Sequence, residues 1–228
     1  MKVTLLEHTP NPDLVVAVAA KQCYSSKTAT EIINKGLDEK EISNFVQKLF
    51  RIGHESPFEH VSFTFGVDGV SRTLTHQLVR HRIASYSQKS QRYVSEARFQ
   101  YVTPTSIKSN KEAEEEYEKC MRSINHTYEK LISLGILKED ARYALPNSCT
   151  TDIVITMNAR ALLNFFKLRC CTRAQAEIRQ MAYLMLGEVK KVAPNIFGFA
   201  GASCEVLGYC PEGKMSCGRY PTLENIKK

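Results

Sequence analysis

The chain has 228 residues, 43% of them hydrophobic, and a formal charge of +7. That is enough apolar material for one domain with a sizeable core, and a charge that favours acidic partners such as nucleotides, folates, nucleic acids or anionic membranes. Eight cysteines in a chain this long do not make the disulfide framework of a small secreted domain. No apolar run approaches the length of a membrane span, and residues 1–9 are too short in their apolar part for a secretory signal, so a cytoplasmic chain with reduced thiols and no membrane partner is expected.

In chain order, Val3 to Leu6 predicts a short strand, and Pro10 to Asp13 breaks the chain before a helix through Leu14, Val15, Val18 and Ala19. Ile42, Phe45, Leu49 and Phe50 recur at helical spacing up to Gly53. Residues 61–67 alternate as a strand, which leaves His54 to His60 (HESPFEH) in the connection entering it. Leu74, Leu78 and Val79 predict a helix over 71–82. A long helix is expected from about Lys111 to Leu134, with Tyr117, Cys120, Ile124, Tyr128 and Leu131 as its buried stripe and Gly135 as its stop. A strand over 152–157 precedes helices over 158–169 and 172–192, the second halted by Pro194. Helices outweigh strands, so the fold class is α+β. From Gly198 onward the Gly- and Cys-rich tail reads as a loosely ordered cap; the spacing of Cys204, Cys210 and Cys217 lacks a zinc knuckle, and no metal is expected.

The densest chemistry lies between Gly69 and Ser95, which contain no Asp or Glu. Arg72, Arg80, Arg82, Lys89 and Arg92 are interleaved there with Ser85, Ser87, Gln88 and Ser90. Guanidinium forks and hydroxyls match phosphate oxygens, whereas a face built only for solubility would mix Lys with Glu. Arg160 and Asn164 stand one turn apart on a common helix face, with Leu162, Leu163, Phe165 and Phe166 as core on the other.

Arg80-His81-Arg82 followed by seven residues and Ser90, together with the upstream HESPFEH and the ordered blocks 142–147 (RYALPN), 157–169 (MNARALLNFFKLR) and 173–180 (RAQAEIRQ), resembles the flavin-dependent thymidylate synthases. The resemblance covers roughly residues 1–197. It implies a catalytic domain over 1–197, with helices packed on a small, mostly antiparallel sheet as in thymidylate synthase complementing proteins, followed by a tail over 198–228. It also implies a homotetramer with sites at subunit junctions. The implied reaction is reductive methylation of dUMP to dTMP, with FAD as cofactor and NADPH and 5,10-methylenetetrahydrofolate as co-substrates.

The same resemblance implies that dUMP is held by Gln77, Leu78, Val79, Arg80, Gln88, Lys89, Ser90, Gln91, Arg92, Arg142 and Arg169. Ser90 and Arg92 would lie near the phosphate, and Arg169 would act as the catalytic cation facing the uracil ring. Flavin contacts are implied at Ser56, Arg80, His81, Arg82, Gln88, Asn158, Ala159, Arg160 and Asn164. Two positions depart from the pattern: Gln88 stands where many relatives carry an acid, and Arg173 where a His can occur. The alternative, a nucleic-acid-binding protein using residues 71–98 with Tyr86, Tyr93 and Tyr101 stacking on bases, accounts for the charge but not for HESPFEH or Arg142.

Overall fold

In the computed structural model, which describes residues 1–226, strand β1 (Lys2–His8) leads into α1 (Pro12–Gln22), where Pro12 occupies the first turn and needs no N–H partner. Two capping boxes then start two helices in succession. Thr28 and Glu31 close one on α2 (Ala29–Lys35), and Asp38 and Glu41 close the other on α3 (Glu39–Ile52). Gly53 stops α3 with φ of 69°, a left-handed turn that a side chain would disfavour. HESPFEH is more ordered than a plain connection, since Ser56–His60 forms a 3-10 helix. Strand β2 (Ser62–Ser71) follows.

The helix expected over 71–82 ends early. It is α4 (Arg72–Leu78), and the Tyr86 hydroxyl takes the Leu78 carbonyl at 2.9 Å, a group that a continuing helix would have used. Arg80 and Arg82 therefore lie beyond the helix, and complementing its dipole does not explain them. Val79 is 42% exposed rather than part of the apolar face. An unforeseen strand, β3 (Ser85–Gln88), comes next. Then follow α5 (Thr105–Lys108), α6 (Lys111–Ser133) and α7 (Lys138–Ala141). On α6 the buried stripe uses Met121, because Cys120 faces solvent.

Strand β4 (Thr150–Asn158) runs directly into α8 (Ala159–Arg169), with Asn158 as the N-cap accepting the Ala161 N–H at 2.8 Å. The last long helix, α9 (Ala176–Val192), starts four residues later than expected. The Arg179 guanidinium donates to the carbonyls of Thr172 and Ala174, at 2.8 and 3.1 Å, and holds the preceding segment as a turn. Pro194 opens a short helix, α10 (Pro194–Phe197), and the Asp13 carboxylate accepts from the backbone of Asn195 and Ile196. The tail carries α11 (Ser203–Leu207) and α12 (Leu223–Ile226), with Ala202, Cys204 and Cys210 buried. It is built structure and not a loose cap.

The four strands form one antiparallel sheet in the order β1-β2-β4-β3. The chain divides into two compact units. One comprises Met1–Lys2, Val67–Arg80 and Tyr86–Val154, with a core of Val67, Val70, Leu74, Leu78 and Tyr128 and a smaller cluster of Phe99, Met121 and Cys149. The other comprises Val3–Gly66, His81–Ser85 and the chain from Ile155 onward. Its core is aromatic: Phe197 meets Phe63 and Phe166 with ring centroids 5.3 and 5.9 Å apart, and Phe166 meets Phe165 at 5.7 Å. These rings lie beneath α8 and leave Arg160 and Asn164 on its exposed side.

Candidate functional site

The residues singled out from the sequence fall into two groups, one in each unit. In the first unit, Gln77 and Val79 come from the end of α4, Gln88 from β3, Lys89 to Arg92 from the turn after it, and Arg142 from the 3-10 turn after α7. The Lys89 N–H bonds the Asp152 carbonyl at 3.0 Å, which ties that turn to β4. Ser90 Oγ accepts the Arg92 N–H at 3.3 Å and fixes the local bend. Arg92 forks onto Glu139 with its Nε and Nη2 at 3.0 and 2.7 Å, and this pairing raises its pKa. Arg142 Nε donates to the Glu139 carbonyl at 3.1 Å, so Glu139 gathers both guanidiniums. Gln91 donates to the Cys149 sulfur at 3.5 Å, and Leu78 contributes a buried side chain.

Arg72 and Glu96 belong to this group, although Glu96 was not among the residues singled out from the sequence. Arg72 Nη2 donates to the Lys89 carbonyl at 2.9 Å, its Nε is buried without a partner, and burial lowers its pKa. Glu96 is 6% exposed, with Lys89 Nζ at 3.8 Å; burial raises its carboxyl pKa while Lys89 and Arg72 pull it down. Glu96 closes the acid-free run from its far end, and that boundary was its signal in the sequence.

Gln88 has a local reason to be an amide. Its Nε2 donates to the hydroxyls of Thr75 and Thr151 at 3.1 and 3.4 Å, while the Thr75 hydroxyl gives its own proton to the Arg72 carbonyl at 3.0 Å. A hydroxyl has one proton, so Thr75 can only accept from residue 88, and a carboxylate would set two acceptors against each other. Gln88→Glu is expected to lower stability by about 1–3 kcal/mol, the cost of an unmade buried hydrogen bond. Urea denaturation at neutral pH checks this; an unchanged midpoint would contradict it.

In the second unit, α8 and the segment after α4 supply the candidates. Arg169 Nε donates to His81 Nε2 at 3.0 Å, and His81 packs edge-on against Phe165 with centroids 5.0 Å apart. That bond requires a neutral ring with Nε2 unprotonated. Burial first, and then the Arg169 charge, lower the His81 pKa from 6.5 to about 4; burial also lowers that of Arg169, which nevertheless remains a cation at neutral pH. Arg160 is held by two carboxylates of HESPFEH, with Nε 3.4 Å from Glu55 and Nη1 on Glu59, and Lys167 also meets Glu55 at 3.5 Å. Asn158 uses its side-chain oxygen as the α8 cap, and Ala159 is buried. Ser56, Arg82 and Asn164 are exposed. Glu55 and Glu59 were missed as partners of Arg160, although both lie in a segment already singled out.

The titration of His81 has a fixed sign. The unfolded chain takes up a proton near pH 6.5 and the folded chain only near 4, so the stability His81 contributes is complete above 6.5 and is lost as pH falls towards 4. Thermal midpoints at pH 5 and pH 7.5 should differ less in His81→Gln than in the parent chain; an equal difference would contradict this.

A cavity of about 470 Å³ in the second unit is lined by Phe50, Glu55, Leu163, Lys167, Phe199 and Leu207 among others, and by none of the residues implied as dUMP or flavin contacts. Among the described residues, no group of three or more His, Cys, Asp or Glu side chains could hold a metal ion, and no helix is long and apolar enough to cross a membrane.

Comparison with known proteins gives a consistent answer. A family model described as thymidylate synthase complementing protein matches residues 4–195. The chain is 52% identical to a flavin-dependent thymidylate synthase from Clostridium tetani, with 99% of this chain and 96% of the relative covered. It is 49% identical to one from Geobacter sulfurreducens, with 99% and 97% covered, and 44% identical to one from Nitratidesulfovibrio vulgaris, with 99% and 97% covered. These findings give no support to nucleic-acid binding.

Proposed function

This chain belongs to the thymidylate synthase complementing protein family, and from that premise we propose that it converts dUMP to dTMP by reductive methylation. Its carbon donor is 5,10-methylenetetrahydrofolate, and its hydride source is FAD reduced by NADPH. The observation that carries this reading is the similarity, over nearly the whole chain, to enzymes named for that activity. The pairing of a cationic Arg169 with a neutral His81 supports it.

FAD, when bound, relays reducing equivalents from NADPH; the chain supplies position and charge. The donors present suit a dinucleotide. Ser56, Arg82 and Asn164 are exposed, and Arg160 can exchange a carboxylate for a flavin phosphate. Arg80, His81, Gln88, Asn158 and Ala159 complete the proposed flavin contacts, Asn158 and Ala159 through the backbone and cap at the start of α8. Ser90, Arg92 and Arg142 anchor the dUMP phosphate, with Gln77 to Arg80 and Gln88 to Gln91 around the nucleoside. Ser90 acts by hydrogen bonding and forms no bond to the pyrimidine. Arg169 stabilises the negative charge that develops on the uracil ring.

We assign the catalytic domain to residues 1–197 and the tail to 198–228, and place the enzyme in the cytoplasm as a homotetramer whose sites lie at subunit junctions. The chain holds FAD noncovalently in this reading, so FAD should be released intact when the purified chain is denatured. Chromatography of the supernatant checks this; a chain that neither carries nor takes up FAD would overturn the assignment.

A further inference from the structure

Four of the eight cysteines line one narrow void in the second unit: Cys171, in the turn after α8, and Cys204, Cys210 and Cys217 from the tail. The last three lie beyond residues 4–195, the stretch that the family model matches. Nothing in the proposed reaction uses these thiols. All are free, and they differ in setting. Cys204 and Cys210 are buried, whereas Cys171 is half-buried and Cys217 is exposed. The cations Arg173 and Arg219 also line the void, and their ion-pair partners are Glu212 and Glu205 respectively.

We propose that Cys217 and Cys171 form a peroxide-reactive dithiol that closes reversibly to a disulfide, fastening the tail to the turn that follows α8. Exposure gives Cys217 access to the oxidant. Its thiol pKa is lowered, first by a hydrogen bond with the Thr172 side chain and then by one with the Arg219 backbone, which favours the reactive thiolate. Thr172 is the immediate neighbour of Cys171, and both line the same void as Cys217, so the group that steadies the thiolate belongs to the turn that carries its partner. Cys204 is the poorer partner, because burial raises its thiol pKa.

The chemistry balances with one peroxide. The Cys217 thiolate attacks a peroxide oxygen, the O–O bond breaks, and the leaving hydroxide takes a proton to become water. The Cys171 sulfur then attacks the resulting sulfenic acid, the S–O bond breaks, and a second water carries away the Cys171 proton. Two thiols lose two electrons to one peroxide.

The test uses the full chain, treated with hydrogen peroxide, quenched with an alkylating agent and mapped by mass spectrometry, and it needs no enzyme activity. The expected product has lost two hydrogens, joins the peptides holding Cys171 and Cys217, and is restored by dithiothreitol. Cys217→Ser or Cys171→Ser should abolish the link, while Cys170→Ser should leave it intact. A link that survives Cys171→Ser would overturn the proposal, as would oxidation of Cys217 without any link. Stoichiometric zinc in the isolated chain, with thiols that react only after chelation, would also overturn it and make the cluster a metal site.

Discussion

Arg169→Ala is expected to reduce dTMP formation severely while leaving the fold and most flavin binding in place. Helix α8 ends at Arg169 and fixes its direction through a buried face of Leu162, Leu163, Phe165 and Phe166. The guanidinium is half-buried, and its Nε is 3.0 Å from an imidazole that stays neutral at physiological pH. No counter-charge at His81 quenches it. Loss of one preorganised donor to a developing oxyanion costs roughly 2.7–4 kcal/mol of barrier, and Arg169→Lys should rescue only partly, because a point charge does not reproduce the planar fork. A purely structural Arg169, serving as a cation at a helix C-terminus, would instead cost about 0.3–1 kcal/mol of stability with little change in rate. Single-turnover dTMP formation and the melting temperature of the FAD-loaded variant separate the two outcomes.

Phe197→Ala should produce the largest loss of stability. Phe197 is fully buried and lies two residues beyond the matched stretch 4–195, yet it touches both Phe63 of β2 and Phe166 of α8. Truncating a buried Phe costs about 3–5 kcal/mol, which for a chain of this size lowers the melting temperature by roughly 6–20 °C. Calorimetry on the variant checks this, and a shift of a degree or two would mean that the core closes without it. The Phe63–Phe166–Phe197 cluster supports α8 from below, so flavin binding should weaken along with stability.

The parts of the fold that were legible in the sequence are those whose pattern is local. β4, α8 and α6 announce themselves by periodicity and by their caps, and their ends fall within a residue or two of expectation. β3 was missed because Ser85–Gln88 has no apolar alternation; it stands at the edge of the sheet, where little burial marks a strand. α2 was missed because Ile32 is its only buried residue. The tail hid its order in small buried residues such as Ala202 and Cys204, which carry no strong hydropathic signal.

For the candidate site, the residue types were legible and their partners were not. Arg160 and Glu59 are 101 positions apart, Arg169 and His81 are 88 apart, and Gln88 and Thr151 are 63 apart. Each pair is created by the path of the chain rather than by any spacing that can be read along it. The departure at Gln88 was visible in the sequence, but its reason, a threonine hydroxyl already committed to a backbone carbonyl, needed the fold.

The most direct test of the central claim is anaerobic turnover by the FAD-loaded chain supplied with NADPH, dUMP and 5,10-methylenetetrahydrofolate, with the nucleotide product separated and weighed by mass spectrometry. dTMP should form in an amount that follows the NADPH consumed, and none should form when FAD or the folate is withheld. Unchanged dUMP beside a fully FAD-loaded, folded protein would contradict it.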